Sequence, residues 1–145
     1  MQAAHAILRE NHPDACDWLF IALANPERKL FVASVFDGLP VPKRLVAAFI
    51  RAGVMGRDPS ASRMYIEPCV ASHGSLAVNE RLLDYLRGGT NEEKAGAASA
   101  LYWAQGNPRK EDLSQLKRII HATLLREFVE NDDLDVRRRI VPLLR

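Results

Sequence analysis

The stretch "GTNEEKAGAASALYWAQG", residues 89–106, decides how the rest of the chain must be arranged. Thr90 is a suitable N-terminal capping residue, and the acids Glu92 and Glu93 favour the first turn of a helix. The middle of the stretch is almost entirely Ala, Gly and Ser. An isolated helix of this length is marginal in water. The stretch therefore predicts a middle helix enclosed by other helices, with Gly96 allowing a close approach.

Helical spacing of apolar residues recurs along the whole chain, whereas alternating strand patterns are almost absent. Short joints containing Pro, Gly, Asn or Asp separate the segments, which predicts antiparallel neighbours. The fold class is therefore predicted to be all-α, with one domain over residues 1–145. Besides the opening stretch, helices are predicted over 14–25, 26–38, 42–54, 59–74, 75–89, 110–131 and 132–145.

A repeated register links four of these helices. A basic residue recurs at intervals of 34, 31 and 43 residues, and a small or aliphatic residue follows three positions after each one. Repetition at this period is typical of stacked helical hairpins. The basic positions are Lys29, Arg63, Lys94 and Arg137, and the positions three residues later are Val32, Ile66, Ala97 and Ile140.

The segments "DLDVRRRIVPLL" (133–144) and "NEEKAGAASAL" (91–101) resemble the second helix of HEAT-like, armadillo-type repeats. The resemblance extends over most of the chain through the register described above. It implies a right-handed α-α superhelix, or solenoid, of about four stacked antiparallel helix pairs. It also implies that the second helix of each pair lines the inner, concave surface.

Bulk properties set limits on function. The chain has 145 residues and a net charge of +2, far from the strong basic bias of a dedicated nucleic-acid binder. No apolar run approaches the roughly 18 residues that a membrane span requires, and the N-terminus lacks the features of a signal peptide. A cytoplasmic location is therefore expected. Cys16 and Cys69 are expected to be buried thiols, with a single disulfide as the alternative.

The sequence contains no convincing catalytic, metal-binding or cofactor-binding pattern. No HExxH or paired Cys/His spacing, phosphate-binding glycine loop or GxSxG motif occurs. The acid pairs at 92–93 and 132–133 are interpreted as helix-dipole acids. We therefore predict no enzymatic activity, catalytic residue, metal or cofactor. The histidines, interpreted as surface or capping residues, are His5, His12, His73 and His121.

The basic column, together with Tyr102 beyond Lys94, is the candidate partner-binding surface. Two interpretations of Lys29, Arg63, Lys94 and Arg137 stay open. In the first, each cation bonds to an acid of its own or the next repeat and forms a structural ladder. In the second, the column and Tyr102 face the concave surface and bind an acidic ligand.

The ladder interpretation makes specific assignments. It pairs Arg137 with one of the acids at 132, 133 or 135, and Lys94 with Glu92 or Glu93. Two further predictions concern large or rigid side chains. Trp18 and Trp103 are expected in the core, and two prolines, at 68 and 142, are expected either to kink or to end their helices.

Three functional hypotheses follow. The leading one is a non-catalytic scaffold or adaptor module that binds another protein on the concave side. The alternative is a nucleic-acid-binding protein, because one group of alkylpurine DNA glycosylases resembles this architecture; nucleic acid is the less favoured partner. The third is a homodimer joined through the uncapped C-terminal end of the stack.

Overall fold

The computed structural model describes residues 13–56, 58–107 and 109–145. In these residues every regular element is helical, so the all-α prediction is confirmed. Short 3-10 turns, Lys43–Leu45 and Val141–Leu143, precede the third and follow the eighth α-helix. The α-helices are α1 Pro13–Ala24, α2 Lys29–Val35, α3 Val46–Val54, α4 Arg63–His73, α5 Ser75–Gly88, α6 Asn91–Trp103, α7 Ser114–Glu130 and α8 Leu134–Ile140.

Consecutive helices pack in pairs: α1 with α2, α3 with α4, α5 with α6, and α7 with α8. Each first helix also contacts the first helix of the next pair, and each second helix contacts the next second helix. One continuous cluster of buried side chains runs through all four pairs, from Leu19 to Ile140. Helix α6 contacts α3, α4, α5 and α8, so it is the enclosed middle helix that the sequence predicts.

The start of α6 is fixed by reciprocal capping. The Thr90 hydroxyl accepts a hydrogen bond from the Glu93 N–H at 3.2 Å, and the Glu93 carboxylate accepts one from the Thr90 N–H at 3.1 Å. Such caps are worth about 0.5–2 kcal/mol. The predicted helix start is therefore confirmed.

Gly96 lets α6 approach the C-terminal end of α3. A Cβ at this position would lie 1.7 Å from the carbonyl oxygen of Val54 and 2.7 Å from its carbonyl carbon. These are backbone atoms, so no side-chain rearrangement could make room. The absence of a side chain at Gly96 is therefore what permits the two helices to touch.

The alanines of α6 fill the space that its neighbours leave. Ala95, Ala97, Ala98 and Ala100 are all buried. The four positions of the predicted register are equally enclosed, because Val32, Ile66, Ala97 and Ile140 each expose 0% of their surface. Each of the four pairs therefore has a fully buried residue at the register position of its second helix.

The Ala97→Leu variant is expected to lower the free energy of unfolding by about 1–3 kcal/mol, because a larger side chain would overpack this enclosed site. Urea denaturation followed by circular dichroism measures the change. The matched control is Ala77→Leu, at an exposed position of α5, where the change should stay within about 0.5 kcal/mol. Equal stability of the two variants would contradict the enclosed position of α6.

A buried polar cluster holds the C-terminal end of α6. The Asn79 side-chain amide donates hydrogen bonds to Ser75 Oγ and to the carbonyl oxygen of Ala104, at 2.9 and 3.0 Å. The Ser75 hydroxyl also donates to the Ala104 carbonyl. Since helix ends leave carbonyl groups without intrahelical donors, these bonds satisfy the end of α6 and position the neighbouring Trp103.

Five helices, α2, α3, α4, α7 and α8, begin two to four residues later than predicted, and capped turns explain two of these shifts. Helix α2 begins at Lys29, because Asn25 Oδ1 first accepts hydrogen bonds from the N–H groups of a turn. Helix α4 begins at Arg63, because Asp58 accepts hydrogen bonds from the N–H and hydroxyl of Ser60. In both places a side chain caps a turn that precedes the helix.

The prediction that Trp18 lies in the core was wrong. Trp18 is 47% exposed, and the main contacts of α1 are with α2, α3 and the 3-10 turn before α3. Leu76, the second residue of α5, is exposed as well. The Glu111 carboxylate contacts this turn by accepting hydrogen bonds from the N–H groups of Ser75 and Leu76.

The two prolines of the repeated fragments differ in position. Pro68 lies inside α4, which continues to His73, so it does not end its helix. Pro142 lies in the 3-10 turn that follows the end of α8 at Ile140. The shared proline therefore marks equivalent sequence positions with different local structures.

Candidate functional site

Lys94 forms the most enclosed ion pair of the basic column. Its Nζ lies 2.9 Å from Glu127 Oε1, and the two side chains are only 17% and 10% exposed. Asn131 Nδ2 donates a second hydrogen bond to Glu127, at 3.1 Å. The predicted partners of Lys94 were Glu92 and Glu93, so that assignment was wrong. The acid instead comes from α7, the first helix of the next pair.

Arg137 reaches the C-terminal end of α7. Its Nε donates to the carbonyl oxygen of Asn131, and one terminal nitrogen donates to that of Val129 at 3.4 Å. The same nitrogen lies 3.6 Å from the Asp132 carboxylate, one of the acids that the sequence predicts. A cation at the C-terminal end of a helix is favourable because the helix dipole is negative there.

Lys29 makes an equivalent contact with α3. Its Nζ donates to the carbonyl oxygen of Ala52 at 3.2 Å, near the C-terminal end of that helix. It also lies 5.6 Å from the centre of the buried Tyr65 ring, within range of a cation–π interaction. Burial lowers the pKa of the Lys29 ammonium. Lys29, Lys94 and Arg137 thus each connect a second helix to a first helix through a hydrogen bond or an ion pair.

Arg63 differs from the other three cations because it lies on the surface. Its Nε donates to Glu67 Oε2 at 2.9 Å within the same helix. Its guanidinium lies 5.3 Å from the centre of the Trp103 ring. The indole N–H of Trp103 donates to the carbonyl oxygen of Pro59 at 3.3 Å. Trp103 was predicted in the core; it is half-buried and forms part of an exposed platform.

Tyr102 completes this platform. Its ring meets the Trp103 ring edge to face, with centres 4.9 Å apart, and the Tyr102 side chain is 56% exposed. Of the five residues that the sequence assigns to partner binding, Arg63 and Tyr102 are therefore both in contact with Trp103. The other three make the contacts between first and second helices that are described above.

Two grooves flank the platform on the surface formed by α2, α4, α6 and α8, which we call the second-helix face. The Tyr102 groove has a volume of about 440 Å³ and is mostly apolar. It is lined by residues that include Ala98, Tyr102, Trp103, Arg138 and Arg139. Arg139 is held by Asp135 Oδ1 and Ser99 Oγ, both at 3.2 Å.

The other groove beside the platform, which we call the Met64 groove, has a volume of about 680 Å³ and lies between α2 and α4. Ala33, Arg63, Met64 and Glu67 contribute to its lining. The two grooves and the platform between them make the second-helix face the candidate functional site. Sequence reasoning found Arg63 and Tyr102 but missed Met64, Arg138 and Arg139, whose places depend on how three helices pack.

Comparison of the chain with protein-family models, curated proteins and solved structures found no match. No relative therefore assigns a role to any residue of this face.

The cysteines and histidines of the described residues lie outside the two grooves of the second-helix face. Cys16 and Cys69 are buried free thiols, as the first of the two sequence interpretations predicts, and burial raises the pKa of Cys69 to about 12. The Cys69 thiol therefore stays protonated and unreactive at neutral pH. His73 Nε2 lies 2.6 Å from the carbonyl oxygen of Val41, whereas His121 is exposed. The other two histidines, at positions 5 and 12, lie outside the described residues.

Two further kinds of site, for a metal ion and for a membrane, concern the described residues as a whole. Within residues 13–56, 58–107 and 109–145, no three His, Cys, Asp or Glu side chains lie together in a way that could hold a metal ion. None of the described helices is both long and apolar enough to cross a membrane.

Proposed function

We propose that the chain is a non-catalytic, HEAT-like interaction module whose second-helix face binds an extended segment of a partner protein. The four pairs contact one another in chain order, first helix to first helix and second helix to second helix. This contact pattern supports a short stack of helix pairs of the armadillo type. Stacks of this kind present extended concave surfaces for binding.

The observation that carries the proposal is the exposed Tyr102 beside the anchored Trp103. Trp103 is fixed by its hydrogen bond to Pro59 and by the Arg63 guanidinium, so the edge-to-face contact restrains Tyr102 as well. A restrained aromatic side chain loses little conformational freedom on binding. Tyrosine, tryptophan and arginine are also the residue types that dominate binding energy at protein interfaces.

The linings indicate the chemistry of the partner. The Tyr102 groove offers apolar surface, with Arg138 and Arg139 at its edge. It is suited to one apolar side chain with an acidic residue close to Arg138, since Arg139 is already paired with Asp135. The Met64 groove continues beyond Arg63 and is suited to a second apolar side chain. The partner is therefore an extended segment that carries two apolar anchors and acids.

Binding of nucleic acid is the alternative, because arginines beside aromatic rings can also stack on bases. The neighbouring acids favour a protein partner instead. Arg63 is already paired with Glu67, and Arg139 with Asp135. Asp37 and Glu67 also line the Met64 groove, where they would repel a phosphate backbone.

A peptide selection tests the proposal. The full chain is used to select from a random peptide library displayed on phage, and the enriched peptides are measured by fluorescence anisotropy. We expect enrichment of peptides that combine aliphatic or aromatic residues with acids. Tyr102→Ala should weaken their binding by about 30-fold, the loss typical of a hot-spot residue. The matched control, Phe31→Ala, removes an exposed ring of α2 that lies outside both grooves and should leave binding unchanged.

Two outcomes would contradict this function. Equal affinity of the enriched peptides for wild type and Tyr102→Ala would remove the second-helix face from the proposal. Failure to enrich any peptide, together with duplex DNA binding that weakens steeply with added salt, would favour the nucleic-acid hypothesis.

The homodimer hypothesis concerns a different surface. Leu125, Val129 and Leu134, on the last helix pair, are exposed apolar side chains. They are compatible with an end of the stack that another subunit covers. The homodimer stays a prediction, and the proposed peptide binding does not depend on it.

A further inference from the structure

A larger groove lies away from the second-helix face, between the C-terminal halves of α1 and α5 and along α3. Its volume is about 800 Å³, within the range of about 300–1,000 Å³ that is usual for small-molecule sites. Most of its lining is apolar and includes Phe20, Ala48, Met55 and Tyr85. We call it the Ala48 groove.

Two cations, Lys29 and Arg51, line the Ala48 groove. Lys29 is half-buried, yet it forms no ion pair with any carboxylate in the described part of the chain. The other three cations of the basic column each face an acid: Arg63 faces Glu67, Lys94 faces Glu127 and Arg137 faces Asp132. Lys29 is thus the one cation of the column that faces no carboxylate of the described residues.

The second cation is also incompletely paired. Arg51 Nη1 lies 3.7 Å from Glu93 Oε1, which is too long for a hydrogen bond. Glu92 is the one acid among the described lining residues, against two cations. The Lys29 ammonium donates one hydrogen bond, to Ala52, although an ammonium can donate three. Donors and positive charge are therefore available in the lining of a mostly apolar groove.

We propose that the Ala48 groove binds a small amphipathic carboxylic acid, with its carboxylate between Lys29 and Arg51 and its apolar chain against Phe20, Ala48 and Tyr85. The carboxylate would form charge-assisted hydrogen bonds with Lys29, which pairs with no carboxylate of residues 13–56, 58–107 and 109–145. The alanines leave the space that the chain occupies. The lowered pKa of Lys29, caused by burial, agrees with an ammonium that a bound anion would stabilise.

The test uses decanoate as the probe, with the full chain, in isothermal titration calorimetry below the micelle concentration. We expect saturable one-to-one binding of decanoate. Decanol, which has the same chain without the charge, should bind about tenfold more weakly, since hydrogen bonds to charged groups are worth more than neutral ones. Arg51→Gln and Lys29→Gln should each weaken decanoate binding by a similar factor.

Two further variants separate charge from shape. Arg44→Gln removes an exposed arginine that lies outside the groove, and decanoate should bind it as tightly as wild type. Ala48→Leu fills the half-buried centre of the groove and should weaken binding at least as much as Arg51→Gln. If Ala48→Leu fails to fold by circular dichroism, Ala47→Phe, at an exposed lining position, takes its place.

Three results would overturn the proposal. These are the absence of saturable decanoate binding to wild type, equal affinity for decanol and decanoate, and binding that neither filling variant weakens. None of them affects the peptide selection, because the lining of the Ala48 groove shares no residue with either groove of the second-helix face.

Discussion

Replacing Gly96 by alanine is expected to lower the free energy of unfolding by about 3 kcal/mol, the upper end of the usual cost of overpacking. Alanine is normally the better helix former, by about 1 kcal/mol. Here its Cβ would lie 1.7 Å from the Val54 carbonyl oxygen, so α6 and α3 would have to separate along their contact. Urea denaturation followed by circular dichroism gives the change in stability.

Gly88→Ala is the matched control for that experiment. Gly88 is also helical, at the C-terminal end of α5, but a Cβ there would meet no atom within 4 Å. Its replacement should leave stability unchanged or raise it by up to about 1 kcal/mol. If the two variants had the same stability, the close contact between α6 and Val54 would be wrong, and with it the explanation of the small side chains in α6.

The features of α6 that the sequence predicts correctly depend on local chemistry or on side-chain size. A Thr90–Glu93 capping box involves only neighbouring residues, so its signal is complete in the sequence. Small residues in the middle of a helix have little apolar surface of their own, so burial on several sides could be inferred. The repeated register also predicted buried positions, because its members are small or aliphatic residues. Val32 and Ile140, for example, are both fully buried.

The wrong assignments depend on which helices become neighbours. Lys94 has Glu92 and Glu93 close in sequence, yet its partner is Glu127, 33 residues away on α7. The candidate site shows the same limit. Tyr102 could be singled out from its place after Lys94, but the groove beside it needs Arg138 and Arg139 from α8. Contacts between helices that are distant in sequence carry no local signal.

The pair formed by Lys94 and Glu127 provides the second large expected effect. Lys94→Met should lower the free energy of unfolding at neutral pH by about 3 kcal/mol, because it leaves the enclosed Glu127 carboxylate without its cation. Lys110→Met, which removes the same charge from an exposed position, should change stability by less than about 0.5 kcal/mol. Urea denaturation of both variants measures the difference.

The double variant Lys94→Met/Glu127→Gln distinguishes loss of the pair from loss of packing. The double variant removes the Glu127 charge as well as the Lys94 charge, so no uncompensated charge stays buried. It should therefore recover part of the free energy of unfolding that Lys94→Met loses. If the double variant were as unstable as the single one, the uncompensated charge of Glu127 would not be the cause of the lost stability.

The pH dependence gives an independent check on the charge. Burial raises the pKa of Glu127, but the hydrogen bonds from Lys94 and Asn131 and the charges of Lys94 and Arg126 outweigh it, so the pKa is lowered overall. A lowered folded-state pKa means that the stability from Glu127 is present at neutral pH and is lost as the pH falls through that pKa. Without Lys94, burial dominates and the carboxyl accepts a proton more readily. The deficit of Lys94→Met should therefore shrink in acid, and a deficit independent of pH would contradict the ion pair.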